Sequence, residues 1–77
     1  MSNDEIYKKM YECIHRAATI TLKDGRKLDG VVHTVESRYD NEDEEGDLKG
    51  KGVLHLRSGS YGTLVSEDDI ESIEARD

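Results

Sequence analysis

The residues of this chain that could carry chemistry are mainly acids. Residues 40–47 read Asp-Asn-Glu-Asp-Glu-Glu-Gly-Asp and contain six acids and no base. Residues 41–52 also have the length of a calcium-binding loop, with Gly46 at the sixth position. Its twelfth position is Gly52 rather than the glutamate that binds calcium with both oxygens, and no helices are predicted on either side. We therefore expect no ordered calcium site.

The single cysteine and the histidines are poorly placed for a metal site. Cys13 and His15 are two residues apart in a predicted helix, so their side chains point to different sides. His33 and His55 each alternate with apolar neighbours in predicted strands, and the two could lie near each other. Half-exposed strand histidines are the simpler interpretation of that pattern. The sequence therefore predicts no metal ion.

Motifs of enzymes and nucleotide-binding proteins are missing from the sequence. Ser58 and Ser60 lack the Gly-x-Ser-x-Gly motif of a nucleophile elbow. The chain contains neither a phosphate loop nor a dinucleotide-binding fingerprint. We expect a protein that is not an enzyme and uses no cofactor.

Length and composition predict one small domain, spanning residues 1–77, with a thin core. The chain has 77 residues, of which 34% are hydrophobic and 38% charged. A chain of this length buries only about 60% of the surface that it exposes when unfolded, so marginal stability or self-association is expected. One cysteine excludes an internal disulfide, and neither a signal peptide nor an apolar stretch of about 18 residues is found. These features predict a cytoplasmic protein that does not contact membranes.

The net charge of −7 is concentrated in one segment. Without the six acids of residues 40–47, 12 acids remain against 11 bases. Such an acidic run repels itself and stays solvated, which predicts a surface loop over about residues 40–50. The acids that could contact a basic protein partner are Glu42, Asp43, Glu44, Glu45 and Asp47.

The hydrophobic pattern changes from a helical period to a strand period near residue 19. Ser2 and Glu5 have the spacing of a capping box, and the apolar residues that follow predict an amphipathic helix over residues 3–17. Gly30 lies inside a predicted strand, where an isolated glycine indicates a bulge or a sharp bend. The predicted strands span residues 19–23, 26–37, 52–57, 61–65 and 70–75. The predicted fold class is mainly β, with an N-terminal α-helix followed by a five-stranded, strongly bent antiparallel sheet.

This element order resembles the Sm-like barrel of the Sm, LSm and Hfq RNA-binding proteins. The segments at residues 23–26, Lys-Asp-Gly-Arg, and 28–31, Leu-Asp-Gly-Val, resemble that family's first hairpin and bent second strand. The segment at residues 70–73, Ile-Glu-Ser-Ile, resembles its closing strand. The resemblance covers residues 19–75, and an unrelated SH3-like small barrel would give a similar pattern.

The resemblance implies a candidate RNA site that follows the second strand. Sm-like proteins carry there an acid, two variable positions, Met and Asn, where this chain has Glu36-Ser37-Arg38-Tyr39-Asp40. Arg38 falls where many members stack a base, Tyr39 replaces the usual Met, and Asp40 replaces the Asn that reads a base edge. Before the last strand, Glu67-Asp68-Asp69 replaces the family's Arg-Gly, and three acids would repel phosphates.

Two functions of different class follow. The favoured one is a non-enzymatic Sm-like binding or regulatory module that contacts a protein partner, for which a basic surface is one candidate, and associates with itself. Its architecture resembles that of the Rho-binding antiterminators. The alternative is an RNA-binding Sm-like ring protein with a site around Arg38 and Tyr39, which the net charge disfavours; neither DNA nor a membrane is expected as a partner. In Sm-like rings the fourth strand of one subunit pairs with the fifth of the next, which implies these edge residues here: Tyr61, Thr63, Val65, Ile70 and Ile73.

Overall fold

The computed structural model describes residues 1–76 and contains one helix followed by five strands. The elements are α1 (Asn3–Glu12), β1 (Ala17–Leu22), β2 (Lys27–Glu36), β3 (Val53–Ser58), β4 (Tyr61–Ser66) and β5 (Ile70–Ala75). Two short 3₁₀ turns, Gly46–Leu48 and Glu67–Asp69, lie between strands. The predicted fold class, mainly β with an N-terminal helix, is confirmed.

The strands form a single antiparallel sheet in the order β4-β3-β2-β1-β5. The ten-residue β2 is central, because its first part pairs with β1 and its second part pairs with β3. The pairing of β2 with β3 shifts between Val32 and Thr34, and the pairing of β1 with β5 shifts between Thr21 and Leu22. Such irregularities bend a sheet, and the architecture is compatible with a small barrel. β4 and β5 are the two edges.

The core lies between the helix and one face of the bent sheet. Every second residue of β1 is buried, namely Ala18, Ile20 and Leu22. Ile6 and Met10, which are four residues apart on α1, are fully buried against this face. The other members of the core are Cys13, Val32, Leu54, Leu56, Val65, Ile70 and Ile73.

Helix α1 ends earlier than the sequence predicts. Its start is the expected capping box of Ser2 and Glu5, but its last residue is Glu12 rather than residue 17. His15 has a φ of 67°, and its N–H donates to the carbonyl of Val32 at 2.7 Å. The backbone after Glu12 therefore bonds to β2 instead of continuing the helix. Among residues 1–76, no helix is long and apolar enough to cross a membrane.

Gly30 is required by a close approach rather than by a bulge. It pairs regularly with Ala18 of β1, whereas the irregularity of β2 lies at His33. A Cβ added to Gly30 would lie 2.5 Å from the carbonyl oxygen of Arg57 and 2.7 Å from Oγ of Ser58. The end of β3 therefore crosses over Gly30 at a distance that only glycine allows.

Replacing Gly30 with Ala is expected to reduce the free energy of unfolding by more than about 1 kcal/mol, because the added methyl group meets main-chain atoms of Arg57 that cannot simply rotate away. Gly62→Ala is the matched control, since a Cβ on that β4 glycine meets no atom within 4 Å. Denaturant unfolding of both variants measures the difference. An equal, small effect at the two positions would contradict this packing.

Candidate functional site

The guanidinium group of Arg38 lies at the centre of a polar cluster that joins distant parts of the chain. Its Nε donates to Oε2 of Glu67 at 2.9 Å, and its Nη2 donates to Oε1 at 2.7 Å. Its Nη1 lies 3.0 Å from the carboxylate of Asp4 on α1. Arg38 therefore binds Glu67 with two parallel hydrogen bonds, the geometry in which such pairs are strongest.

The ring of Tyr7 forms one wall of this Arg38–Glu67 cluster. The guanidinium carbon of Arg38 lies 4.3 Å from the ring centroid, which is a cation–π contact. The Tyr7 hydroxyl accepts the backbone N–H of Arg38 at 3.0 Å. A Cβ on Gly52 would lie 2.5 Å from the Tyr7 ring, so a glycine at this position lets the ring approach.

Glu67 is a buried carboxylate whose hydrogen bonds are satisfied. It is 1% exposed and also accepts the backbone N–H of Gly52 at 2.6 Å. Burial acts to raise its pKa, but the hydrogen bonds from Arg38 and Gly52 outweigh that effect and hold the pKa below its ordinary value. Glu67 therefore stays ionised at neutral pH.

The neighbouring Asp68 extends the cluster to α1 and to the start of β3. Its carboxylate accepts from the amide of Asn3 at 2.6 Å and lies 3.4 Å from Nζ of Lys51. Burial would raise its pKa, and the hydrogen bonds from Asn3 and Lys51 lower it to a value below the ordinary one. The cluster thus connects α1, both ends of the β2–β3 connection and the turn Glu67–Asp69.

The three residues of the candidate RNA site have different environments. The guanidinium of Arg38 is bound to Glu67 and Asp4. Tyr39 is 80% exposed, and its side chain forms no hydrogen bond within residues 1–76. Asp40 is exposed and closes a turn, because Oγ of Ser37 accepts its backbone N–H at 2.9 Å. Their role in RNA binding stays a prediction.

The acidic loop is exposed as predicted, with one exception at its base. Within the described chain, its candidate contact residues are exposed and form no ion pair: Glu42, Asp43, Glu44, Glu45 and Asp47. Asn41, by contrast, is 3% exposed, and its amide donates to the carbonyl of Lys51 at 2.8 Å. Its own carbonyl accepts the N–H of Gly50 at 2.7 Å. Asn41 therefore ties the two ends of the loop together.

The predicted edge residues divide between surface and core. Tyr61 is 78% exposed and Thr63 is exposed, whereas the side chains of Val65, Ile70 and Ile73 are buried in the core. The sequence analysis missed Leu64, which is 60% exposed on β4 although it is apolar. A strand pattern alone cannot show that β4 has a partner on only one side.

A groove of about 620 Å³ lies beside β4. Leu22, Leu28 and Val65 give it apolar walls, and charged groups of Lys23, Asp24, Arg26 and Asp69 surround them. Leu28 is only partly buried, so apolar surface of the barrel is open to solvent here. The groove could accept an apolar side chain from another molecule.

His33 and His55 do lie near each other. Both line a pocket of about 120 Å³ together with Arg57, and Nε2 of His55 contacts the carboxylate of Glu36. Among residues 1–76, no group of three or more His, Cys, Asp and Glu side chains is arranged to hold a metal ion. His55 is therefore a strand histidine whose ring is bound to the carboxylate of Glu36 on the neighbouring strand.

No protein-family model matches the chain, and no curated protein shows significant similarity to it. The chain's own surfaces are therefore what indicates its function. Three of them differ clearly from the rest: the Arg38–Glu67 cluster, the acidic loop and the exposed edge of β4.

Replacing Arg38 with Ala is expected to lower the free energy of unfolding by about 3 kcal/mol, because it leaves the carboxylate of Glu67 buried without its partner. Arg26→Ala is the matched control, since the ion pair of Arg26 with Asp24 has side chains that are 71% and 55% exposed. That control should cost less than about 1 kcal/mol. Urea unfolding compares the two variants, and equal losses would contradict a structural role for Arg38.

The contribution of Glu67 to stability should depend on pH. Because its pKa is lower in the folded protein than the ordinary value of 4.5, its contribution is complete above that value and is lost as the pH falls through the folded pKa. The difference in unfolding free energy between the wild-type protein and Glu67→Gln should therefore be largest near neutral pH and shrink below pH 4.5. A difference that stays constant down to about pH 3 would show that Glu67 does not act as a carboxylate.

Proposed function

We propose that the chain is a non-enzymatic binding or regulatory module of the Sm-like kind, which contacts a protein partner and associates with itself. The observation that carries this proposal is the free edge of β4. Within residues 1–76, β4 pairs with β3 alone, and its Tyr61 and Leu64 are 78% and 60% exposed. Unpaired backbone groups on an edge are a template for another chain, and large exposed side chains beside them add contact area.

The element order supports the Sm-like part of the proposal. A helix precedes five antiparallel strands, and the sheet order leaves the fourth and fifth strands at opposite edges. In Sm-like rings these two strands pair between subunits. The chain offers the same two edges for self-association.

The acidic loop supports a partner with a basic surface. Its exposed acids have no intramolecular ion pairs in the described chain, so their charge is available to a second molecule. The hydrogen bonds of Asn41 hold the ends of the loop, so these acids project from a defined place. Opposite charges steer association and raise its rate more than they strengthen the final complex.

The contacts of Arg38 weigh against the RNA alternative. The charge of Arg38 is already paired with Glu67 and Asp4, and the ring of Tyr7 covers one face of its guanidinium, so only the opposite face could take a base. The net charge of −7 adds long-range repulsion of phosphates. RNA binding therefore ranks second, with the exposed Tyr39 as its best remaining contact.

Replacing Glu42, Glu44 and Glu45 with Gln is expected to slow association with a lysine-rich peptide several-fold while changing dissociation little, because these acids steer the encounter. The matched control removes three exposed acids elsewhere, at Glu12, Glu71 and Glu74. Stopped-flow fluorescence at increasing salt concentration measures both rates. The control should slow association less than the loop variant.

Two outcomes would contradict the proposal. An equal slowing by both triple variants would mean that only the net charge matters and that the loop is no contact surface. Micromolar binding of a short uridine-rich RNA by the wild-type protein, lost in Tyr39→Ala, would place the RNA function first.

A further inference from the structure

We propose that two copies of this chain associate by antiparallel pairing of their β4 strands around a twofold axis at Thr63. The inference rests on the self-association of the proposed function and specifies which edges are used. It differs from the pairing of a fourth with a fifth strand that the Sm-like resemblance implies. A twofold arrangement of this kind closes as a dimer and leaves no β4 edge free.

The distribution of charge favours β4 as its own partner. Residues 58–66 contain no charged side chain, although 38% of the chain is charged. The edge strand β5 instead carries exposed Glu71 and Glu74. Since each copy has a net charge of −7, two copies meet with least repulsion through their uncharged strands.

The register follows from which face each residue occupies. Tyr61, Thr63 and Val65 lie opposite Ser58, Leu56 and Leu54 of β3, so they share the core face of the sheet. Two antiparallel strands related by a twofold axis perpendicular to the sheet place residues of the same face opposite each other. An axis at Thr63 satisfies this rule and sets Tyr61 opposite Val65 of the second copy.

Neighbouring registers fit less well. An axis at Gly62 would shift the pairing into Gly59 and Ser60, which form the β3–β4 turn. An axis at Leu64 would set Tyr61 opposite Glu67 of the second copy, which is 1% exposed and bound to Arg38. The axis at Thr63 pairs only uncharged residues, from Tyr61 to Val65.

The groove beside β4 provides a place for Tyr61 of the second copy. Val65 lines this groove together with Leu22 and Leu28, and the opposing Tyr61 would lie on the same face of the extended sheet. Its ring, 78% exposed in the single chain, would then cover apolar surface that is open to solvent. An aromatic side chain opposite a β-branched one is a favourable cross-strand pair. The contact occurs twice in a symmetric dimer.

Disulfide trapping tests the pairing directly. Cys13 is fully buried, so a Thr63→Cys variant has one accessible thiol. A residue on the twofold axis of an antiparallel pair lies within disulfide range of the same residue in the second chain. Oxidation should therefore join two Thr63→Cys chains rapidly. Lys8→Cys, on the exposed side of α1, measures the rate of random collisions. A mixture of Leu64→Cys and Ser72→Cys chains tests pairing of β4 with β5, because Leu64 and Ser72 both lie on the outer face of the sheet.

Light scattering of the wild-type protein at a concentration of tens of micromolar should give a molecular mass twice that of the single chain, which is 8.7 kDa. Tyr61→Ala should raise the dissociation constant of the dimer by about tenfold or more, and Val31→Ala, which removes an exposed apolar side chain from β2, should leave it unchanged.

Cross-linking of Thr63→Cys no faster than that of Lys8→Cys would overturn the β4 pairing. If cross-links instead join Leu64→Cys to Ser72→Cys and the mass exceeds that of a dimer, self-association stands and the twofold pairing is wrong. A mass of 8.7 kDa with no cross-link in any mixture would overturn both the β4 pairing and the self-association in the proposed function.

Discussion

The ion pair between Arg38, whose side chain is 35% exposed, and the buried carboxylate of Glu67 is the interaction on which the rest of this structure depends. The two residues are 29 positions apart, and their contact brings the end of β2 to the turn before β5. The desolvation of the Glu67 carboxylate is costly, and it is offset here by the bidentate bonds from Arg38 and by the N–H of Gly52. Because these partners come from separate elements, the pair fixes how the helix sits on the sheet.

The same pair determines which surfaces are free. Glu67 and Arg38 neutralise each other inside the fold, so the turn before β5 is less acidic than its sequence suggests. The acids of the loop between β2 and β3 have no such partners in the described chain and face solvent. At the edge of the sheet, β4 has neither charge nor a second neighbour. An acidic loop and an apolar strand edge are thus separate surfaces, suited to separate contacts.

Local sequence patterns predicted the helix and the five strands well, but they did not predict the contacts between these elements. The capping box of Ser2 and the alternation of apolar residues identified the helix and all five strands, because these signals act over a few residues. The end of the helix was placed too late, since the bond from His15 to Val32 depends on tertiary structure. Gly30 was noticed, but its reason, the approach of Arg57, involves a different strand. Composition likewise could not separate Asn41, which is buried, from the acids around it.

A double-mutant cycle on Arg38 and Glu67 tests the central claim most directly. Arg38→Met, Glu67→Leu and the double variant would be compared with the wild-type protein by equilibrium unfolding. If the pair connects the fold, the double variant should be more stable than the sum of the single losses predicts, by about 2 kcal/mol, since the carboxylate of Glu67 is then no longer left buried without its partner. Additive losses within about 0.5 kcal/mol would show that the two side chains act independently. The contact of Arg38 with Glu67 would then not be what joins the end of β2 to the turn before β5.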